Sequence, residues 1–215
     1  GGYIHPLEDR GSAALGIDDI RLTDRFYLGE PQMRGFDIRG VGPRVQRVFF
    51  TGEVVNGAAV NTPQLERNQI QDDAIGGRFY YLGRAEVQIP LGSGAKELGL
   101  RPSVFVDVGS VCDVTRPLLQ TVQQREVLAD GTQGAPLYYF VDTAGALQSS
   151  TTALNSDGSA RTPALRFEER FFGDTWKPRL SVGFGVNWNS PFGPFRIDIA
   201  KALLKQPGDD TKLFT

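Results

Sequence analysis

The sequence predicts an all-β fold: an antiparallel transmembrane β-barrel of the outer-membrane type, present as a C-terminal fragment of about four to six strands with long extracellular loops. Three observations predict it. Apolar and polar residues alternate with a period of two over long segments, the segments are long enough to cross a bilayer at a tilt, and the links between them alternate short and long.

The alternation is clearest over residues 179–189, where Leu180, Val182, Phe184, Val186 and Trp188 face one way and Arg179, Ser181, Gly183, Gly185, Asn187 and Asn189 the other. Over residues 77–90, Phe79, Tyr81, Gly83, Ala85, Val87 and Ile89 oppose Arg78, Tyr80, Arg84, Glu86 and Gln88, with Leu82 off pattern. Over residues 101–111, Val104, Val106 and Val108 oppose Arg101, Ser103, Asp107 and Gly109, with Phe105 on the polar side. A fourth segment, residues 195–203, alternates Phe195, Ile197 and Ile199 with Arg196, Asp198 and Ala200. Such segments run to about 9–13 residues, against about 5–6 in soluble sheets and about 9–11 for a tilted bilayer path. Their polar faces carry Gly, Ser, Asn and Arg with few Lys, which suits a barrel lumen better than open solvent.

The links keep the rhythm of such a barrel. Residues 91–100 form a short, glycine-bearing link, residues 112–178 a very long one with an apolar stretch at Leu137-Tyr138-Tyr139-Phe140-Val141, and Ser190-Pro191-Phe192-Gly193-Pro194 a tight turn. After a polar link, a new strand opens at Lys212-Leu213-Phe214. Tyr80, Tyr81, Trp188, Phe192 and Phe195 are candidates for aromatic girdles at the membrane interfaces.

Composition narrows the function classes. With 26 Gly, 13 Pro, 40% apolar residues and a formal charge of −2, the chain is neither disordered nor furnished with a basic nucleic-acid face. No apolar run reaches the ~18 residues of a membrane-spanning helix, which leaves a barrel open. Cys112 is the only cysteine and His5 the only histidine, so no disulfide, thiolate cluster or His-rich metal site is expected, and no cofactor. No Gly-x-Ser-x-Gly occurs either, and no catalytic residue is expected. The start at Gly1-Gly2-Tyr3 has no signal-peptide pattern, so any export signal is expected upstream or already removed.

Near the N-terminus stands Phe26-Tyr27-Leu28-Gly29-Glu30-Pro31-Gln32-Met33-Arg34-Gly35-Phe36, followed by Gly40-Val41-Gly42-Pro43. It resembles the Arg-Gly-Phe signature of the BamA-like outer-membrane insertase family, the bacterial surface antigen barrels, with Glu30 in place of the usual second Gly. Downstream, Ala85-Glu86-Val87-Gln88-Ile89-Pro90, then Val104-Phe105-Val106-Asp107-Val108-Gly109-Ser110-Val111, then the run from Ser181 to Arg196 are similar to family strands in the same order. The resemblance implies an inward-folded signature loop at residues 1–76, a strand pair at 77–111, a long extracellular loop at 112–178 and C-terminal strands at 179–215. It further implies a non-enzymatic role in inserting β-barrel proteins into the bacterial outer membrane. The implied partners are outer-membrane lipid, unfolded β-barrel clients and accessory assembly lipoproteins. A two-partner secretion pore, a barrel attached to an upstream enzyme domain and a soluble β-sandwich binding module are the alternatives.

Elementary electrostatics adds a site. Arg34 on a loop folded into a barrel would be a costly charge unless paired with carboxylates, and Glu86 and Asp107 lie on the polar faces of their strands, able to accept from a forked guanidinium. The resemblance implies the same contacts. Gly35 would permit close backbone approach, Phe36 would anchor apolar area, and Gly109 belongs to the matched strand block. Read without the resemblance, Glu86 and Asp107 are solvated lumen residues and Arg34 a surface turn charge.

Overall fold

The computed structural model describes residues 1–90, 99–190 and 193–214. Of the predicted links, residues 91–98 of the first and residues 191 and 192 of the second, with them Phe192, lie outside the described residues. Fifteen strands occur among the described residues: β1 (Gly2–Tyr3), β2 (Arg44–Val55), β3 (Ala58–Pro63), β4 (Gln71–Ala74), β5 (Phe79–Gln88), β6 (Leu100–Cys112), β7 (Thr121–Gln123), β8 (Arg125–Val127), β9 (Gln133–Pro136), β10 (Tyr138–Val141), β11 (Leu147–Ser150), β12 (Thr162–Pro163), β13 (Leu165–Phe172), β14 (Arg179–Ser190) and β15 (Gly193–Leu204). Three short 3-10 turns complete the regular structure, and no α-helix occurs among the described residues. The chain divides into two compact units, one of Gly1–Val45, Asp73–Leu118 and Phe171–Thr215, the other of Gln46–Asp72 and Leu119–Arg170.

In the first unit the four long alternating segments become β5, β6, β14 and β15, joined antiparallel in the order β1-β5-β6-β14-β15. Register decides which residues share a face, because directly opposed residues point the same way. Val87 opposes Val104, Val104 opposes Phe184, and Phe184 opposes Ile199, so one row across the sheet is wholly apolar. The neighbouring row toward the turn-side end ends in Ile197, and the next pairs Trp188 with Phe195. This apolar face is the exposed one: Val87 and Ile197 are each 65% accessible. The opposite face carries Ser103, Asp107, Arg179, Ser181 and Asp198, all buried. The sheet is thus inverted relative to a water-soluble one, whose apolar face would be covered, and the inversion is what a lipid-facing wall requires.

Two off-pattern residues find their reason here. Leu82 and Phe105 point to the polar face because that face is covered by another part of the chain: Leu82 packs on the cluster of Leu28, Met33, Phe36, Val41 and Val111, and Phe105 is 2% accessible. Period-two patterning breaks where a third element packs onto a strand.

The second unit is built from residues that the sequence assigns to loops. β2 and β3 form a hairpin around Asn56-Gly57, both with positive φ (53° and 76°), the turn that Asn-Gly favours in hairpins. Residues 1–76 therefore hold this hairpin besides the signature loop. Likewise residues 112–178 contain β7 to β13, with the apolar stretch at 137–141 forming β10, which pairs with β11 and β12. The Arg47 guanidinium stacks on Phe167 at 4.4 Å and donates to Glu169 Oε1 at 2.6 Å, tying β2 to β13.

The β10–β11 turn is organised by Asp142, whose Oδ1 accepts the backbone N–H groups of Ala144 and Ala146, each at 2.9 Å, and whose Oδ2 accepts from Gln148 Nε2 at 3.0 Å. These bonds, the Ala146 amide first and the Gln148 side chain next, hold the carboxyl below the ordinary carboxylate range. A depressed carboxyl stabilises the turn above its ordinary value of about 4 and loses that contribution as pH falls through the lowered value. The Ala144 and Ala146 amide resonances are therefore expected to move to turn-released positions only below about pH 4, and the transition is expected to vanish in Asp142→Asn. Amide shifts already released at neutral pH would contradict it.

Candidate functional site

Residues 26–42 lie across the polar face of the first unit's sheet. At the base, Phe26 and Gly77 exchange backbone hydrogen bonds at 2.9 and 3.0 Å, and Val41 N–H donates to the Leu28 carbonyl at 3.0 Å. The tip is tied to the chain's end: Asp37 N–H donates to Asp210 O at 3.0 Å and Lys212 N–H to Gly35 O at 3.2 Å. Met33 and Phe36 are fully buried with Leu28, Val41 and Val111, and Phe26, Tyr80, Leu82 and Ala202 pack around them. Each such side chain contributes about 1.5–3 kcal/mol through burial, so the apolar anchors supply a substantial part of the force that holds the loop down.

Gly35 lets the tip come close enough. Its φ is +85°, and a Cβ there would stand 3.0 Å from Ser181 Cβ and 3.3 Å from Ala200 Cβ. A side chain would meet both strain and collision, and the small residues of the wall answer the missing one in the loop. Gly109 plays the matching part in β6, where a Cβ would stand 2.7 Å from Tyr81 O and 3.0 Å from Leu28 Cδ2.

Beside Gly35, Arg34 is 3% accessible, and Asp107 opposite it is fully buried. Nε donates to Asp107 Oδ2 and Nη2 to Asp107 Oδ1, both at 2.8 Å, a two-pronged pair; the Arg34 backbone N–H adds a third bond to Oδ2 at 3.1 Å. Nη1 donates to Glu86 Oε2 at 3.0 Å and lies 4.0 Å from Asp198 Oδ2. The Phe105 ring lies under the guanidinium, 3.3 Å from centroid to Cζ. The cation is thus enclosed by carboxylates at its edge and a π face below, an arrangement a lysine ammonium cannot match.

Arg34, Gly35, Phe36, Glu86, Asp107 and Gly109 therefore occupy one site. Four further residues complete it. Arg196 Nη2 donates to Glu86 Oε1 at 3.0 Å and its Nε to Asp198 Oδ2 at 2.7 Å. Ser103 Oγ donates to Glu86 Oε1 at 2.7 Å. Arg84 Nε donates to Asp107 Oδ1 at 3.1 Å, and its Nη2 reaches the carbonyls of Pro31 and Gln32 on the loop. Arg34, Arg84 and Arg196 balance Glu86, Asp107 and Asp198. The signal for the extra members is present in the sequence, Arg84 as the i−2 neighbour of Glu86 and Ser103, Arg196 and Asp198 as polar-face residues of their strands, but only register shows which of them meet. A second buried pair supports the loop's neighbour: Arg179 and Asp209, both with inaccessible side chains, meet at 3.0 Å, and Arg179 Nη1 also donates to Ser110 Oγ at 2.7 Å.

Removing Arg34 takes from the buried Asp107 its two-pronged partner and leaves it only the half-exposed Arg84, at a cost of up to about 3–5 kcal/mol. Arg34→Ala is expected to expose residues 26–42 to limited proteolysis, and Arg34→Lys to recover only part of the protection. Phe105→Leu keeps every ion pair but removes the stacked face and part of the ring's buried packing, so its loss is expected to be about 1–3 kcal/mol. If thermal unfolding ranked Phe105→Leu above Arg34→Ala, the charge network would not be the main restraint.

The family profile of the Omp85 superfamily domain matches residues 2–215. The outer membrane protein assembly factor BamA of Neorickettsia risticii (strain Illinois) is 31% identical over 202 residues, which cover 94% of this chain and 16% of that protein. The crystal structure of BamA from Haemophilus ducreyi lacking POTRA domains 1–3 aligns over 90% of this chain and 26% of that one, at 19% identity and a TM-score of 0.47. The chain therefore spans a small part of the relatives it matches. Matched along its length and built as an inverted antiparallel wall carrying an Arg-Gly-Phe loop, the chain belongs to the Omp85 superfamily of outer-membrane β-barrel proteins.

Proposed function

We propose that this chain is the loop-bearing wall segment of an outer-membrane factor that assembles β-barrel proteins and inserts them into the membrane. The observation that carries this reading is the docking of the Arg34 loop, through a buried, charge-balanced network, onto the polar face of a sheet whose other face is apolar and exposed. The 31% identical relative bears the name of an outer membrane protein assembly factor, which supports the same reading.

In this role the chain performs no bond chemistry. A client strand exchanges water for backbone partners at an open sheet edge, and the apolar face presents the finished strand to lipid. Arg34, Gly35 and Phe36 hold the loop against the wall, with Glu86 and Asp107 as acceptors and Gly109 leaving room for Leu28, so that the edge works from a stiff support. In this reading residues 112–178 are the long extracellular loop that joins β6 to β14. The partners are unfolded β-barrel clients, outer-membrane lipid and accessory assembly lipoproteins.

Depleting the gene product that carries this chain is expected to lower the amount of folded, heat-modifiable barrel proteins in the outer membrane. Re-expression of the unaltered protein restores them, and Arg34→Ala restores them poorly. Unchanged barrel levels on depletion, or loss of one secreted protein alone, would overturn the assembly reading. Full restoration by Arg34→Ala would overturn the role of the loop.

A further inference from the structure

The tip of the Arg34 loop does more than rest on the wall, because its backbone pairs with the segment that follows β15. Phe36 and Thr211 form an antiparallel bridge. On one side of it Asp37 N–H donates to Asp210 O at 3.0 Å, and on the other Lys212 N–H donates to Gly35 O at 3.2 Å. Asp210 N–H donates in turn to Gly40 O at 2.9 Å, so both backbone groups of Asp210 belong to the turn at 37–40. Gly40 makes that approach possible, since a Cβ there would collide with the Asp210 carbonyl. A side-chain contact spans the same junction, where Lys212 Nζ donates to Glu30 Oε2 at 2.9 Å.

Strand geometry gives these bonds a consequence, because backbone groups turn alternately to the two edges of a strand. Leu213 O accepts from Ala200 N–H at 2.9 Å, and Phe214 bridges Ile199. Leu213 therefore turns to β15, while Asp210 and Lys212 turn the other way, into the tip. The tip holds the groups that a further strand would need in order to pair on the side away from β15. Nor is the segment free to slide and offer others. Arg44 Nη1 donates to Gly208 O at 2.8 Å, and the buried pair of Arg179 and Asp209 fixes the next residue to the wall at 3.0 Å.

We infer that residues 35–40 are an edge cap: while they are docked, a client strand pairs with the segment after β15 only from Phe214 onward, and the ion pair of Glu30 with Lys212 latches the cap. The inference rests on the proposed assembly role. A docked loop then acts twice at one place, stiffening the wall through Arg34 and setting the point at which a new ladder starts. A fixed start defines the register, and a slip of one residue would turn a client's apolar side chains to the wrong face.

The test uses the gene product that carries this chain, folded into bilayers, with a photo-activatable phenylalanine analogue in place of Thr211 or of Phe214. A urea-unfolded eight-stranded outer-membrane barrel protein is added as client, and cross-links are read by mass spectrometry. Client links are expected at position 214 and about tenfold fewer at position 211, where the analogue links to Phe36 of the tip instead. Gly40→Ala, which drives the tip off Asp210 and leaves the Arg34 ion pairs in place, is expected to raise client links at 211 to the level at 214. Arg34→Ala, which frees the whole loop, is expected to do the same, so the result does not hang on how the turn at 37–40 adjusts to an alanine. Glu30→Ala removes only the latch and is expected to raise them about threefold. Equal client links at 211 and 214 with the loop unaltered overturn the cap, as do links at 211 that stay low in both Gly40→Ala and Arg34→Ala. Client links at neither position in any variant overturn the assembly role itself, and the links from 211 to Phe36, read without client, tell that failure from a failure of the cap to form.

Discussion

A buried guanidinium must be neutralised where it lies, and in this chain that requirement organises the whole polar face of the sheet. Arg34 gives up its hydration to sit at 3% accessibility, and two carboxylates within hydrogen-bonding distance and an aromatic face replace the lost water. The wall accordingly holds acids at 86, 107 and 198, and glycine, serine or alanine at 109, 181, 183 and 200, where the loop or the stacked ring comes closest. Gly183 lies directly beneath Phe105, so the ring rests flat enough to present its face to the cation.

The wall also neutralises most of its own charge. Asp107 has Arg84, while Glu86 and Asp198 share Arg196, independently of the loop. Without Arg34 each carboxylate still has a cation beside it, and the face would carry a single excess negative charge rather than three unpaired ones. The loop is thus attracted by a modest residual charge and held mainly by geometry: a two-pronged bond, a stacked ring and the buried Met33 and Phe36. Interactions of that kind are short-ranged, and they lapse together once the loop lifts by a few ångströms.

The opposite face obeys a different solvent. Its valines, isoleucines and aromatics are exposed to the degree that would be a liability in water and is required in lipid. The inversion explains why mean hydropathy says little about this protein: one residue in two along each strand serves the polar face, so average composition resembles that of a soluble domain. The second unit, with its Asx-organised turns and its Arg47-Phe167-Glu169 cluster, is stabilised by ordinary water-side chemistry.

Sequence alone determined the four long strands of the first unit and their faces, because a side-chain period of two is a local property of an extended backbone and needs no partner to be read. It also determined that Arg34 required acids and that Glu86 and Asp107 stood on the correct faces. The Asn56-Gly57 hairpin was equally written in the residues, in a turn dipeptide whose positive φ values are local, though it lay inside a stretch assigned to a loop. Only the tertiary structure decided that Arg84, Ser103, Arg196 and Asp198 join the network, that Arg179 meets Asp209, and that residues 46–72 and 119–170 gather into one compact unit. Those pairings depend on register between strands far apart in the chain, where a shift of one residue would turn every side chain to the other face, and no local pattern encodes that register.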